Sequence, residues 1–477
     1  MPCARCHTLQ KMIGKMRRGN RIGNAMHPQE RRAVISLAGI ISLRMFGLFM
    51  LLPVLALYSE SLPGNTPMLM GWALGVYGLT QALMQIPFGL LYGRIDPKLT
   101  IAIGLAVFAS GSVLAAVAGT IHELIAGRAL QGAGAVSAAV MAMASDLTRS
   151  NQRTKAMAVI GISIGAAFVA SLLIAPALQG WIGVKGMFWG IASLAGVAIA
   201  ILYLLVPVVE RRPLADRAAR PVSRELSASV RNRQLMHMNI GIFLSHMALT
   251  AMFLVVPSLL RDVMLIPLPD HWKVYLLVLL LSAPGFLLAV RMTASGSHVM
   301  RLYRSAILVV AAGFMLLAAG SGGSAAGIVV ALAVFFTGFN VLESMMPSLA
   351  SRMTDASGRG GALSIYNTFQ YLGIFAGGVV GGMVLDAFGT VGLLWCLAGV
   401  SGSWLALTMV QPALSLRETL EVELDMAHDS IPPDLVDRIG RLSGVESVTL
   451  ASGRSVAFLE VDPSRYNSAE LHELLNT

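Results

Sequence analysis

Twelve apolar stretches of about 20 residues, separated by short polar loops, occupy most of this chain. A stretch of this length with almost no charge can cross the ~30 Å hydrocarbon core of a bilayer as one helix. Because hydrocarbon offers no hydrogen-bond partner, the backbone must bond to itself, and a helix does so. The sequence therefore predicts an all-α membrane protein with 12 transmembrane helices.

The composition agrees with this prediction. Hydrophobic residues make up 56% of the chain and charged residues 13%, whereas a soluble domain carries roughly 25% charged residues. The predicted spans are residues 33–58, 70–91, 99–119, 122–143, 155–177, 186–206, 236–259, 273–291, 304–320, 325–346, 361–383 and 390–410.

Lys and Arg residues are concentrated in alternate loops. Of the 35 in the chain, 30 lie in segments that face the cytoplasm if both termini are inside, and only Lys185, Arg261 and Lys273 lie in the opposite loops. Positive residues favour the cytoplasmic side of a membrane. We therefore predict a multi-pass protein of a bacterial inner membrane with both termini cytoplasmic, and no nucleic-acid partner despite the net charge of +10.

The chain divides into two similar halves. The longest internal loop, residues 207–235, is a basic linker with six predicted spans on each side. Gly183 and Trp189 in the first half recur as Gly389 and Trp395 in the second. An even number of spans per repeat gives both halves the same orientation, and a substrate site is then expected between them near the bilayer midplane. The predicted regions are an N-terminal segment 1–32, bundles 33–206 and 236–411, and the linker between them.

Residues 412–477 have a different, polar character and contain no predicted span. Alternating strand-like segments and two amphipathic helical segments follow in the order βαββα. This order predicts a small cytoplasmic α+β domain of the ferredoxin-like type. The domain contains no Cys and therefore no thiol pair for a metal.

The N-terminus contains Cys3, Cys6 and His7 in the spacing of a c-type haem attachment pattern. Haem attachment would need export, but no secretory signal precedes the pattern and the charge distribution places this end inside. We therefore predict no cofactor and no metal site.

Apart from residues in the terminal turns, the ionisable side chains within the predicted spans that we single out are Arg44, Arg128, His246 and Glu343. Such a group costs a few kcal/mol or more at membrane depth, so each is a functional candidate. The alternative is a structural role, in which the group bonds to carbonyls or to a neighbouring side chain. We expect Glu343 or Arg44 to take part in proton coupling, with His246 as the next candidate.

Amide side chains within the spans are candidates for lining the substrate cavity or for holding helices together. Gln81 and Gln85 are four residues apart and share one helix face, and so do Asn367 and Gln370, which are three apart. Asn340 lies three residues before Glu343.

The segment from Arg128 through Gln131 and Gly132 to Gly134 has the pattern R-x-x-Q-G-x-G. With twelve spans divided six and six, this segment resembles motif B of the major facilitator superfamily, which is typical of its proton-coupled members. The resemblance implies the two-bundle fold of that family and assigns Arg128 to coupling between binding and conformational change. Asp146 matches an acidic residue that joins the same conformational network in the family.

A loop from Gly89 to Lys98 lies where the family has motif A, usually G-x-x-x-D-R-x-G-R-K. Gly89, Arg94 and Lys98 match, whereas Gly93 replaces the acid and Asp96 replaces the second glycine. In the family that acid helps to stabilise the outward-facing state. The resemblance therefore implies a weakened contact of this kind here.

The leading hypothesis is a proton-coupled secondary transporter that exports small amphipathic or drug-like molecules by alternating access. An importer of a sugar or an organic acid is the alternative, although the aromatic content of 7% is low for a sugar site. A membrane sensor that uses the tail domain is a third hypothesis. The chain has no P-loop, G-x-S-x-G or HExxH motif, so we predict no enzyme activity. The expected protein is a monomer whose partners are lipid, protons and a small-molecule substrate.

The predicted topology places Ser61 on the periplasmic side of the membrane and Ser223 on the cytoplasmic side. In a variant without native cysteines, Ser61→Cys should react with a membrane-impermeant maleimide in intact cells. Ser223→Cys should react only after the membrane is permeabilised. Labelling of both positions from the same side would contradict the topology.

Overall fold

The computed structural model of this chain describes residues 26–149, 152–208, 232–294, 299–320, 324–353, 359–410, 418–423, 433–450, 456–461 and 466–475. The pattern at Cys3, Cys6 and His7 and most of the predicted linker lie outside the described residues.

The apolar part of the chain is helical throughout the described residues. Its helices are α1 Pro28–Phe49, α2 Leu52–Glu60, α3 Pro67–Arg94, α4 Pro97–Val117, α5 Ile121–Ala133, α6 Ser137–Asp146, α7 Arg153–Leu204, α8 Arg233–Ser258, α9 His271–Ala294, α10 Val299–Gly320, α11 Ala325–Arg352 and α12 Arg359–Met409.

Several helices begin at positions that the sequence marks. Thr66 and Asp96 lie directly before α3 and α4, and their side chains accept hydrogen bonds from the backbone N–H groups three residues ahead. Pro67 and Pro97 occupy the first helical position, where a missing N–H costs nothing. These caps start both helices two or three residues before the predicted apolar spans.

Ten helical stretches of the described residues are long and apolar enough to cross a membrane. The pairs α1–α2 and α5–α6 each make one such stretch, with a short break inside it. Pro53 lies in the first turn of α2, and Gly134 ends α5. The sequence predicted one continuous helix in each case, because neither break interrupts the run of apolar residues.

Two of the ten stretches are far longer than a span. Helix α7 has 52 residues, which corresponds to about 78 Å at the rise of an α-helix, against ~30 Å of hydrocarbon. Helix α7 is interrupted at Gly183 (φ 66°) and α12 at Gly389 (φ 67°). Both glycines lie in the gaps that the sequence predicted between separate spans, and glycine is suited to this left-handed conformation. One glycine, rather than a loop, therefore makes each break.

The chain forms two compact units whose boundaries differ from the predicted bundles. The first takes the described residues up to 208 together with Thr250–Leu276 and Phe375–Asp386, and the second takes the other described residues. Parts of α8 and α12 therefore belong to the first unit.

Within the first unit, α3 and α12 approach each other closely at glycine residues. A Cβ atom on Gly378 would lie 2.6 Å from the Cα atom of Gly75 and would also meet the carbonyl oxygen of Gly71. Real Cβ atoms do not make contacts this short. Small residues are the usual means by which membrane helices bring their backbones together.

The tail forms a three-stranded antiparallel sheet with two helices. Its elements are β1 Glu418–Glu423, α13 Pro433–Gly440, β2 Val445–Leu450, β3 Val456–Val461 and α14 Ser468–Leu475, and the strand order is β1-β3-β2. Leu435 and Ile439 of α13 pack with Leu459 of β3 and Leu471 of α14 in a hydrophobic core. The order βαββα agrees with the pattern read from the sequence.

Substitution of Gly378 by alanine should destabilise the first unit. The added methyl group has no space between α12 and α3, and overpacking of this kind costs about 1–3 kcal/mol. We expect Gly378→Ala to lower the melting temperature of the protein in detergent. The matched control is Gly399→Ala, because a Cβ atom there meets nothing within 4 Å. Equal melting temperatures for the two variants would contradict the close contact.

Candidate functional site

Arg44 is the centre of a buried polar network in the first unit. It lies in α1 with 2% of its surface exposed. Its Nη2 donates to the hydroxyl of Tyr77 at 2.8 Å and to Gln81 Oε1, and its Nη1 donates to Ser137 Oγ at 3.1 Å. Nη2 also lies 3.2 Å from the carbonyl oxygen of Gly134. The structure therefore brings together Arg44, one predicted cavity residue and the end of the motif B-like segment.

One face of α3 supplies much of this network. Tyr77, Gln81 and Gln85 follow each other at intervals of four residues, and all three are buried. Gln81 Nε2 donates to Gln85 Oε1 at 3.4 Å. We did not identify Tyr77 from the sequence, although its spacing of four from Gln81 was a visible signal.

Arg128 lies against the same tyrosine. Its Cζ atom is 5.0 Å from the centroid of the Tyr77 ring. Its Nε donates to the carbonyl oxygen of Ala73 at 3.2 Å and its Nη1 to Gln131 Oε1 at 2.7 Å, while Gln131 Nε2 donates to Ser112 Oγ at 2.7 Å. Arg128 and Gln131 of the R-x-x-Q-G-x-G pattern thus form one hydrogen-bonded chain that fixes α5 against α3 and α4.

The glycines of that pattern allow close packing. A Cβ atom on Gly132 would collide with the carbonyl oxygen of Tyr77, and one on Gly134 would collide with the carbonyl oxygen of Gly104. The motif therefore has two requirements: Arg128 and Gln131 supply hydrogen bonds, and the glycines leave room for neighbouring backbones.

The motif A-like residues lie at the end of α3 and the start of α4. Asp96 caps α4 by accepting a hydrogen bond from the N–H of Leu99 at 2.9 Å, and Lys98 Nζ donates to the carbonyl oxygen of Val206. Arg94 is exposed and forms no hydrogen bond or ion pair with any residue that the structure describes. A Cβ atom at Gly89 would meet nothing within 4 Å. The four residues therefore do not form a single network.

Asp146 accepts a hydrogen bond from the hydroxyl of Tyr92 at 2.8 Å. Nearby in sequence, Arg149 binds Glu30 through its Nε at 2.9 Å, its Nη2 at 3.0 Å and its backbone N–H at 2.9 Å. The side-chain hydrogen bonds to Glu30 and the charge of Glu30 raise the pKa of Arg149 above its ordinary value. The two partners are 119 positions apart in the chain, which explains why the sequence did not reveal this ion pair.

A second polar cluster lies in the second unit. His246 of α8 is 4% exposed, and its Nε2 lies within hydrogen-bond distance, 2.7 Å, of Gln370 Nε2 of α12. The same Nε2 lies 3.9 Å from Glu343 Oε2 of α11. The side chain of Glu343 is 39% exposed, and its Oε2 has no hydrogen-bond partner among the described residues. Three residues predicted separately from the sequence therefore meet at one place.

Tyr366 is a further member of this cluster. It is 2% exposed and lies within electrostatic range of Glu343. Its hydroxyl finds no hydrogen-bond partner in the described part of the chain. Its position four residues before Gln370 was the signal that could have identified it. The predicted cavity residues Asn340 and Asn367 are half-buried and form no hydrogen bond with described residues.

The two clusters differ in chemistry. The first contains two guanidinium groups and neutral acceptors, and the second contains an imidazole and a carboxyl group that can exchange a proton. Among the described residues, no group of three His, Cys, Asp or Glu side chains could hold a metal ion.

Comparison with known proteins gives consistent results. Residues 37–378 match the sequence profile of the Major Facilitator Superfamily. The inner membrane transport protein YajR of Escherichia coli is 37% identical over 453 residues, which are 94% of this chain and 98% of that protein. An uncharacterized transporter of Buchnera aphidicola is 32% identical over 73% of this chain and 89% of its own length. A solved D-xylose-proton symporter shares the fold with a TM-score of 0.64, at 17% identity over 79% of this chain and 97% of the symporter.

Proposed function

This chain belongs to the Major Facilitator Superfamily, and we propose that it exports small amphipathic molecules by alternating access in exchange for protons. The comparisons confirm two predictions from the sequence, namely the family and that the protein is a transporter rather than an enzyme. The protein is a multi-pass membrane protein and a transporter of the secondary kind. Proton coupling, export and the nature of the cargo are the proposal.

The observation that carries the proposal is the position of His246 between Gln370 and Glu343. Neutral imidazole can accept a hydrogen bond at one nitrogen, whereas protonated imidazole can only donate. Since the amide nitrogen of Gln370 is a donor, Nε2 of His246 accepts from it in the tautomer that carries its proton on Nδ1. With a proton, Nε2 would lose that bond and could donate to Glu343, which is 3.9 Å away.

This exchange of partners provides a route from proton binding to movement. His246, Gln370 and Glu343 lie on three different helices, so a change of hydrogen-bond partner alters how α8, α12 and α11 are joined. A conformational equilibrium shifts when one state binds the proton more tightly than the other. We propose that the cluster takes up a proton in one state and releases it in the other.

The architecture that we propose has twelve spans in two six-helix bundles, residues 33–206 and 236–411. The breaks at Gly183 and Gly389 support this count, since each divides a helix too long for one crossing into two suitable lengths. The charge asymmetry supports cytoplasmic termini in a bacterial inner membrane. We assign residues 412–477 to a cytoplasmic ferredoxin-like domain, and the hydrogen bonds of Arg128 within α3 and α5 support its role in conformational coupling.

Proton coupling can be tested with Glu343→Gln, which preserves shape and removes the titratable group. The purified protein is reconstituted in vesicles that contain a pH-sensitive dye, a pH gradient is imposed, and amphipathic compounds are added one by one. A compound that changes the internal pH of vesicles containing the unaltered protein should leave the internal pH unchanged in vesicles containing Glu343→Gln. Binding of the compound should be retained.

The matched control is Asp386→Asn, since Asp386 is an exposed acid with no hydrogen bond to a described residue. This variant should keep the full proton signal. The sign of the pH change distinguishes export from import of a nutrient. An undiminished signal with Glu343→Gln would refute the proposed coupling site.

The tail domain is proposed to regulate transport rather than to take part in it, because it has a hydrophobic core of its own. A protein truncated before Ala413 should insert into the membrane and keep a proton-coupled signal in the vesicle assay. A truncated protein that is correctly inserted and completely inactive would show that the tail belongs to the transport machinery.

A further inference from the structure

The network around Arg44 contains no negative charge. The guanidinium group contacts two hydroxyls, one side-chain amide and one backbone carbonyl. No Asp or Glu among the described residues forms an ion pair with Arg44 or with Arg128, which lies against the same ring of Tyr77. Two buried cations without an acid are unusual, since buried charges are normally paired.

The unpartnered polar atoms in this network are donors. Arg44 Nε and Gln85 Nε2 are both buried and have no acceptor among the described residues. Gln81 connects them, since it accepts from Arg44 and donates to Gln85. A group that would satisfy both donors must supply acceptor atoms. A negatively charged group would bind more strongly than a neutral one, because the guanidinium cation of Arg44 lies next to it.

We propose that Arg44, Gln81 and Gln85 form the anion-binding part of the substrate site and that the cargo is an amphipathic carboxylate. The planar guanidinium group matches the two oxygens of a carboxylate. The carboxylate takes the place of Gln81 Oε1 on Arg44, and the amide groups of Gln81 and Gln85 then donate to it. This inference rests on the transport function proposed above and specifies its substrate class.

The surroundings of Arg44 fit the apolar part of such a molecule. The Phe108 ring lies 5.5 Å from its Cζ atom and the Tyr77 ring 6.0 Å. Because Arg44 is only 2% exposed, the carboxylate reaches it in a conformation in which Gln81 has moved aside. The proposed transport cycle therefore has to include such a conformation.

The test compares acids with their own amides in binding to the full-length protein in detergent. Suitable pairs are 2-naphthoate, indole-3-acetate and decanoate, each measured by equilibrium dialysis against the corresponding neutral amide. We expect at least one acid to bind about ten-fold more tightly than its amide, which is the order expected for hydrogen bonds to a charged group. The absence of a preference in all three pairs would overturn the proposal.

Two variants assign the preference to this site. Gln81→Glu is nearly isosteric and supplies Arg44 with an internal counter-ion, so it should fold, raise the melting temperature and abolish the preference for the acid. Arg44→Gln should abolish the preference by removing the charge. The control is Arg31→Gln, because Arg31 is an exposed arginine on the same helix with no side-chain bond to described residues. This control should keep the preference.

The outcomes separate this inference from the proposed function. An acid preference that persists in Gln81→Glu or in Arg44→Gln would refute the site, whether or not Glu343→Gln abolishes proton coupling. A loss of preference in both variants would support the site even if Glu343→Gln retains proton coupling.

Discussion

A guanidinium group at membrane depth must find its hydrogen-bond acceptors on neighbouring helices, because hydrocarbon offers none. Placing such a charge there costs about 3 kcal/mol on insertion scales, and Arg44 imposes this requirement on the first unit. Its acceptors come from α3, from α6 and from the break after α5, where the carbonyl of Gly134 lies. The relative positions of four helical segments therefore depend on one side chain.

The two polar clusters divide the chemistry between different parts of the chain. Arginine is the side-chain type that keeps its positive charge in proteins, and the first cluster contains two arginines. His246 and Glu343 are of the types that can change protonation. A permanent charge is suited to holding an ion, and a titratable pair is suited to responding to a gradient. This division is the physical basis of the two proposals.

The sequence predicted the features that depend on local pattern. Span positions follow from apolar length, and the tail elements follow from periodicity and turn residues. Arg44 and Arg128 were identifiable because their charges are costly in a membrane. Their partners were not, because the contact of Arg44 with Ser137 joins residues 93 apart in the chain and depends on how the helices pack. The sequence placed gaps around Gly183 and Gly389, but it did not show that one residue makes each break, since glycine is common throughout membrane helices.

Gly93 occupies the position where the family pattern has an acid. A Cβ atom there would meet nothing within 4 Å, so packing does not require glycine at this position. An acidic side chain at position 93 could therefore begin from this backbone without displacing a neighbouring residue.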